Sequence, residues 1–272
     1  MSNTRYPGLY YKHGIFSRVE DALAVEELLS IAVNDEPFTI TMRSPGEEEA
    51  LVRGLLFTEG ICVDTDADPR FEVKERNEKG YVVQVNVLIP EEKLRKDFGN
   101  NRSILSVSSC GICGKTSLDG ASPNRLDDQI LLDPGLVEKM FDAMRSRQAA
   151  FDESGGTHAA GIFNREGHLL HISEDIGRHN AVDKAIGALL LQRKLGEAVC
   201  ITVSGRISYE IVNKARAAGI PILASVSAPS GMAVEMAGEA GMTLLAFCRN
   251  DKLTVYTHPE RIVMNNAEKI AS

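Results

Sequence analysis

The chain has 272 residues, of which 43% are apolar and 25% are charged, and this ordinary globular composition excludes a disordered chain. Its 30 basic and 38 acidic residues give a net charge of −8, which argues against a nucleic-acid-binding protein held by phosphate contacts. The length is sufficient for one large domain or two small ones.

We predict neither a membrane span nor an N-terminal signal peptide from the sequence. The longest uncharged stretch, residues 217–234, is interrupted by two prolines and two glycines, and the first 14 residues lack an apolar core. The five cysteines are an odd number without the spacing of a disulfide framework. We therefore expect a cytoplasmic protein with reduced thiols.

The first third of the chain is predicted to be rich in β-structure. Apolar runs separated by turn residues predict one hairpin from residues 28–33 and 38–42, and a second from residues 71–75 and 81–89. Between them, Ser44 is predicted to cap a helix that has Pro45 at its first position and ends near Gly60.

A strand at residues 104–109 is predicted to lead into the loop Cys110-Gly111-Ile112-Cys113-Gly114. The next residues, 119–129, are rich in Asp, Gly, Pro and Asn and indicate a domain boundary. The prediction is therefore a β-rich α+β domain at residues 1–125, with the cysteine loop near its end, followed by an α/β domain at residues 126–272.

The second half alternates between strands and helices. A helix at residues 133–150 and two paired strands precede this alternation. The predicted strands lie at residues 159–163, 168–172, 198–203, 221–226 and 242–248, and the predicted helices at residues 181–195, 208–218 and 232–240. Strands that alternate with helices of this length predict a mainly parallel sheet.

The pair Cys110 and Cys113 is the strongest local signal for chemistry. Flanking glycines permit a mobile loop, and the cation Lys115 favours the nucleophilic thiolate, so we interpret the pair as a reactive site without a metal. Half of a zinc site is the main alternative, but it needs two more ligands, and no second close cysteine pair is present. A structural or incidental role is the remaining alternative.

The other three cysteines are isolated. Cys62 and Cys200 lie in apolar surroundings, which predicts that they are small buried hydrophobic residues. The same prediction is less clear for Cys248, because it borders a polar loop.

Four loops that follow apolar strands in the second half indicate an anion site. Ligands bind beyond the carboxyl ends of strands in open parallel sheets, and helix N-termini favour phosphate. The residues that these loops contribute are Arg178, His179, Ser204, Arg206, Ser227, Arg249 and Lys252. Each loop alone is better explained by ordinary caps and turns, and only the four loops together at one sheet edge favour a ligand site. Neither a Walker A nor a GxGxxG motif is present, so a standard ATP or dinucleotide site is not indicated.

Two further features are ambiguous from sequence alone. His158 and His179 are candidates for a base or a proton donor, but a lone histidine is often structural. Asp183 and Lys184, one turn into a predicted helix, are equally compatible with a solvated ion pair.

Six motifs occur in the order SVSSCGICGK, GGTHAAG, EDIGRHNAVDK, SGRISYE, SAPSG and LLAFCRNDK. Together they resemble the formate dehydrogenase accessory sulfurtransferase family (FdhD), and the resemblance spans nearly the whole chain. It implies a sulfur carrier that accepts persulfide sulfur from a cysteine desulfurase. The sulfur then passes to the molybdenum or tungsten bis-guanine-dinucleotide form of molybdopterin, which apo formate dehydrogenase requires.

The resemblance also assigns residues and architecture. It places the catalytic thiol in the pair Cys110 and Cys113, with the first cysteine favoured as the persulfide carrier. It places part of the nucleotide site, for which GDP is a fragment analogue, at Phe247, Cys248, Arg249, Asn250, Asp251 and Lys252. It further implies a homodimer with a C-terminal domain similar to the cytidine deaminase fold.

Two other functions are alternatives to the sulfur carrier. A zinc deaminase needs an H-x-E element followed by P-C-x-x-C, and neither is present, since His158 is followed by two alanines. A non-catalytic chaperone that delivers the cofactor to apo formate dehydrogenase fits the loops equally well, but it has no need of a nucleophilic cysteine.

Overall fold

The computed structural model describes residues 3–95 and 130–263. The predicted strand at 104–109, the loop with Cys110 and Cys113, and the predicted boundary at 119–129 lie outside the described residues. The division at residue 125 therefore stays a prediction.

The strands are β1 Asn3–Lys12, β2 Ile15–Ala24, β3 Glu27–Val33, β4 Glu36–Arg43, β5 Arg70–Arg76, β6 Val82–Leu88, β7 His158–Phe163, β8 Leu169–Asp175, β9 Cys200–Val203, β10 Ile222–Ser225, β11 Thr243–Ala246 and β12 Thr254–Thr257. The helices are α1 Glu48–Thr58, α2 Pro134–Arg145, α3 Ala149–Ser154, α4 Arg178–Leu191, α5 Tyr209–Ala217 and α6 Gly231–Glu239.

The N-terminal part contains the two predicted hairpins within one four-stranded sheet, in the order β4-β3-β6-β5. The β3–β4 turn consists of only Asn34 and Asp35, which both have positive φ and so match the twist of the flanking strands. β1 and β2 form a separate two-stranded ribbon, which the sequence analysis did not predict. The two-residue turn His13-Gly14 between β1 and β2 is the sequence feature that could have predicted this hairpin.

The predicted cap of α1 is wrong. The helix begins at Glu48, and Glu47 precedes it in a left-handed conformation without a side-chain cap. The Ser44 hydroxyl instead accepts a hydrogen bond from the Ile176 backbone N–H at 3.0 Å. Ser44 therefore joins the N-terminal part to the loop after β8, a partner 132 residues away that no local pattern reveals.

The C-terminal part is built on a six-stranded sheet in the order β12-β11-β10-β9-β7-β8. β9, β10 and β11 are parallel, whereas β7 runs antiparallel to both β8 and β9, and β12 runs antiparallel to β11. The prediction of a mainly parallel sheet is therefore wrong for the described sheet, which is mixed. The reversal at β7 has a consequence for the site, because it brings the beginning of β7 to the edge where β9, β10 and β11 end.

Helices cover both faces of this sheet. α4, α5 and α6 pack on one face through a core that includes Val182, Ile211 and Leu223, and α2 packs on the other through Met140 and Phe141. The helix predicted for residues 133–150 is divided into α2 and α3. The division has a cause in β8, where the Glu174 carboxylate accepts the backbone N–H groups of Ala150 and Phe151, each at 2.8 Å, and starts a separate helix.

The described architecture is a mixed α/β protein with several sheets. In residues 3–95 and 130–263, none of the helices is long and apolar enough to cross a bilayer.

Candidate ligand-binding site

A cavity of about 820 Å³ lies where β9, β10 and β11 end and α2 begins to cover the sheet. Ser204 and Val226 line it from the ends of β9 and β10, and the loop after β11 lines it with Cys248 to Leu253. α2, α3 and the Gly155-Gly156-Thr157 turn form the opposite wall. This is the position at which ligands bind in open sheets, and the volume lies in the range of about 300–1,000 Å³ found for small-molecule sites.

The loop after β11 brings two cations to the rim of the cavity. Asn250 and Asp251 both adopt left-handed backbone, and the Arg249 N–H donates to the Lys252 carbonyl at 3.0 Å, which closes the turn. Arg249 and Lys252 are exposed, and neither forms an ion pair with another described residue. Their charges are thus free of described partners and face the cavity mouth, where a phosphate would be attracted.

Carboxyl groups occupy another part of the lining. Glu138 and Asp142 of α2 and Asp251 of the loop all line the cavity. A hydrogen bond with Asp251, and repulsion from its charge, raise the pKa of Glu138. The cavity therefore offers both cations and hydrogen-bond acceptors.

His158 and Ser204 form the floor. The Ser204 hydroxyl accepts the Ala159 N–H at 2.9 Å and lies 3.5 Å from His158 Nδ1. Burial and the nearby Arg178 guanidinium lower the pKa of His158, so its imidazole is neutral at pH 7. A neutral imidazole can both donate and accept a hydrogen bond within the cavity.

The structure does not bring all four predicted loops into this cavity. Ser204, Cys248, Arg249, Asn250, Asp251 and Lys252 line it, whereas Phe247, Arg178, His179, Arg206 and Ser227 are not among the lining residues. The division occurs at Gly205, where an added Cβ would lie 3.2 Å from His158 Nδ1 and 3.4 Å from Arg178 Cβ. The cavity lies on the His158 side, whereas Arg178 and His179 begin α4, Arg206 precedes α5 and Ser227 precedes α6.

On that second side, His179 has structural partners. Its Nε2 lies 3.3 Å from the Ser208 hydroxyl and 3.5 Å from a Glu210 carboxylate oxygen. Burial, together with Arg178 and Lys214, lowers the pKa of His179 to about 4 despite the opposing effect of Glu210. Phe247 packs against the core that covers α4 to α6, while its neighbour Cys248 packs on the α2 side.

Sequence reasoning missed Glu174 as a residue that positions the site. Besides starting α3, its carboxylate accepts the Thr157 hydroxyl at 2.9 Å and so holds the turn that lines the cavity. Its place in the EDIGRHNAVDK motif was the available signal. The lining residues of α2 were also missed, because the amphipathic pattern of that helix does not indicate which cavity it covers.

The described cysteines are poor nucleophiles. Cys62, Cys200 and Cys248 are free and buried, as expected for small apolar residues, and burial raises the pKa of the Cys248 thiol to about 11. Within the described residues, no group of three or more His, Cys, Asp or Glu side chains is arranged to hold a metal ion. Cys110 and Cys113 lie outside those residues, so their metal-free reactive role stays a prediction.

Comparison with known proteins gives consistent results. The model of the FdhD/NarQ family matches residues 24–263. A protein of Streptomyces avermitilis named sulfur carrier protein FdhD is 39% identical, and the match covers 94% of each chain. Proteins of the same name from Saccharolobus solfataricus and Mycobacterium tuberculosis are 40% and 42% identical over 89% of this chain and 91% and 92% of theirs.

A solved structure shares the fold. The crystal structure of a formate dehydrogenase accessory protein from Desulfotalea psychrophila superposes with a TM-score of 0.75. The superposition covers 97% of this chain and 100% of that chain at 24% sequence identity.

Proposed function

The chain belongs to the FdhD/NarQ family, and from this premise we propose that it is a sulfur carrier for the maturation of formate dehydrogenase. In the first step, the thiolate of Cys110 attacks the terminal sulfur of a persulfide on a cysteine desulfurase. A Cys110 persulfide forms, and the desulfurase thiolate leaves. The terminal sulfur is then passed to the molybdenum or tungsten bis-guanine-dinucleotide cofactor, which is the substrate of the carrier, and the Cys110 thiolate leaves. The reduced cofactor would supply the two electrons that convert the sulfane sulfur to sulfide, and it is delivered to apo formate dehydrogenase in the cytoplasm.

The observation that carries this proposal is the cavity at the strand ends. Its loop residues Cys248 to Lys252 are those on which the family resemblance places the nucleotide, and its volume suits one guanine nucleotide of the cofactor. Arg249 and Lys252 supply charge for the phosphates. We extend the same proposal to the C-terminal part as a whole, which we infer to be of the cytidine deaminase type.

The carboxyl groups suit the guanine base. Guanine presents N–H donors at N1 and N2, and the Asp251 and Glu138 carboxyl groups offer acceptors from facing walls of the cavity, within hydrogen-bond reach of each other. The phosphates would then extend towards Arg249 and Lys252. This arrangement also explains why acidic side chains line a cavity proposed for an anionic substrate.

Arg249→Ala is expected to weaken GDP binding by about 10- to 150-fold. Loss of a hydrogen bond to a charged group costs ~1.5–3 kcal/mol, which corresponds to that range. Titration calorimetry with GDP measures the effect. Arg206→Ala is the matched control, because this exposed arginine was also predicted from sequence to bind the ligand but does not line the cavity. Equal losses in both variants, or none in Arg249→Ala, would contradict the proposed placement.

Cys110→Ala is expected to abolish the sulfur adduct, while Cys113→Ala retains part of it. The chain is incubated with a cysteine desulfurase and cysteine, and mass spectrometry then detects sulfur as an increase of about 32 Da. Formate dehydrogenase activity after maturation is followed in parallel. The reverse pattern would assign the persulfide to Cys113.

The same variants separate the carrier from the cofactor chaperone. If both cysteine variants support full maturation while Arg249→Ala does not, the chain binds the cofactor without carrying sulfur.

A further inference from the structure

The ribbon formed by β1 and β2, residues 3–24, is the most exposed apolar element among the described residues. Of the sixteen large apolar side chains that are exposed there, seven lie in this ribbon. They include Leu9, Ile15 and Phe16, each with about two thirds of its surface exposed, at 66%, 70% and 64%. Exposed apolar side chains lie on both faces of the ribbon, which contacts α3 through Asn3. A two-stranded ribbon is only marginally stable in water, so pairing with a further strand would stabilise it.

The two edges of the ribbon differ in their capacity to pair. Lys12 and Ile15 flank a two-residue turn in which His13 and Gly14 both have positive φ, so Lys12 and Ile15 form a hydrogen-bonded pair. Bonded and non-bonded pairs then alternate along the ladder. On β1 the outward positions include Pro7, which has no N–H and so blocks that edge. On β2 the outward N–H groups belong to the even-numbered residues from 16 to 24, and β2 contains neither Pro nor Gly.

The sequence of β2 is complementary to itself in the antiparallel direction about Val19. Reversal about that residue places Arg18 opposite Glu20, and both positions have outward N–H groups, as a hydrogen-bonded pair requires. The same register places Phe16 opposite Ala22 and Ile15 opposite Leu23. Charge thus meets opposite charge, and apolar side chains meet apolar side chains.

Arg18 and Glu20 lack partners within the described part of the monomer. Both are exposed, and neither forms an ion pair with another described residue. Within the described residues, the ribbon also pairs with no other strand.

We propose that the β2 edge is an interface for a second copy of this chain, which pairs β2 with β2 antiparallel about a twofold axis at Val19. The result is a four-stranded sheet in the order β1-β2-β2-β1. Because a twofold interface is self-complementary, each Arg18–Glu20 pair occurs twice, and a single change alters two contacts.

Charge exchange tests the interface and its register together. Arg18→Glu and Glu20→Arg each place like charges opposite one another, and each is expected to raise the dimer dissociation constant at least tenfold in sedimentation equilibrium. The double variant Arg18→Glu/Glu20→Arg restores opposite charges and is expected to return to within about threefold of the wild type. Failure of the double variant to recover, single variants that associate like the wild type, or a wild-type chain that stays monomeric would each overturn the proposal.

Crosslinking provides a second measurement that does not depend on charge. Val19 faces its own copy at a non-hydrogen-bonded position, where the Cα atoms of paired residues lie about 4.5 Å apart, within disulfide range. In a background with Cys110 and Cys113 replaced by Ser, Val19→Cys is expected to form a covalent dimer on mild oxidation. Leu9→Cys, which is more exposed than Val19 but lies on β1, is the control and stays monomeric. Crosslinking of Leu9→Cys without Val19→Cys would overturn the proposed edge.

Discussion

Asp183 and Lys184 are adjacent residues whose partners lie in different parts of the fold. Their interpretation as a solvated pair is wrong, since both are buried, with 1% of each surface exposed. Asp183 contacts Lys214 Nζ at 2.8 Å and accepts the Thr58 hydroxyl at 2.7 Å. Lys184 contacts Asp175 at 2.8 Å and donates to the Ser44 carbonyl at 2.9 Å. Two adjacent charges therefore join α4 to two separate regions.

His179 is expected to make the protein less stable as the pH falls below 7. Its pKa is lowered to about 4 in the folded chain, against ~6.5 when unfolded. Since the unfolded chain binds the proton first, the stability is full above pH 6.5 and decreases as the pH falls towards 4. Between pH 7 and pH 5 the free energy of unfolding is expected to decrease by about 2 kcal/mol. Urea denaturation of wild type and His179→Gln at the two pH values measures it, and His179→Gln is expected to lose that much less.

His258 supplies a contrast of opposite sign. Its hydrogen bond to the Gly238 carbonyl, supported by Glu260, raises its pKa, so its contribution is present below pH 6.5 and is lost as the pH rises through the folded pKa. His258→Gln should therefore reduce the dependence of the free energy of unfolding on pH above pH 6.5.

If the free energy of unfolding of His179→Gln falls between pH 7 and pH 5 as much as that of the wild type, the assignment of His179 as buried and neutral is contradicted.

At the scale of elements, α1 and α4 cross at unusually close range. A Cβ added at Gly54 would lie 1.9 Å from the Asp183 carbonyl oxygen, and one added at Gly187 would lie 1.8 Å from the Ala50 carbonyl oxygen. No side chain fits between these backbones. The two glycines thus allow a helix of the N-terminal part to pack directly on a helix of the C-terminal part.

Gly187→Ala is expected to destabilise the fold by about 3 kcal/mol or more, because the new methyl group meets backbone that cannot move aside without separating the helices. The free energy of unfolding from urea denaturation measures this. Gly231→Ala, in helix α6 with open space around the position, is the matched control and should change stability by less than about 0.5 kcal/mol. Equal effects in the two variants would contradict the close crossing.

At the scale of the whole molecule, α1 is shared between two cores. Leu51 and Leu56 pack in the core of the four-stranded sheet, whereas Phe57 packs in the core of the six-stranded sheet. The buried network of Thr58, Asp183 and Lys214 crosses the same junction. The carboxylates of Asp183 and Glu59 raise the pKa of Lys214 despite its burial, which keeps it charged. Both sheets should therefore unfold together.

Lys214→Met is expected to destabilise the whole molecule by about 3–5 kcal/mol, because Asp183 is left buried without its cation. Hydrogen exchange of β3 and β10 amides, followed through urea, should show one common transition in wild type and variant. Loss of protection in β10 while β3 remains protected would show that the two sheets are independent.

Much of the element order follows from local pattern. Apolar runs and turn residues correctly predicted β3 with β4, β5 with β6, and the alternation from α4 to β11, because side-chain period and turn chemistry are properties of a few adjacent residues. The motifs also sufficed to identify the family. Local signals failed at the N-terminal ribbon, at the division between α2 and α3, and at β12.

The sequence by itself determined which residues end the strands, but the tertiary structure alone decided which of them share a cavity. Arg249 and Arg206 follow strands in the same way, yet only Arg249 lines the cavity. Cys248, next to Arg249, packs in the core under α2, whereas Ile207, next to Arg206, packs in the core under α4 to α6. The partners of Ser44 and Glu174 were likewise decided by folding. A hydrogen bond between residues 132 positions apart depends on how the whole chain packs, and a local sequence pattern contains no information about that distance.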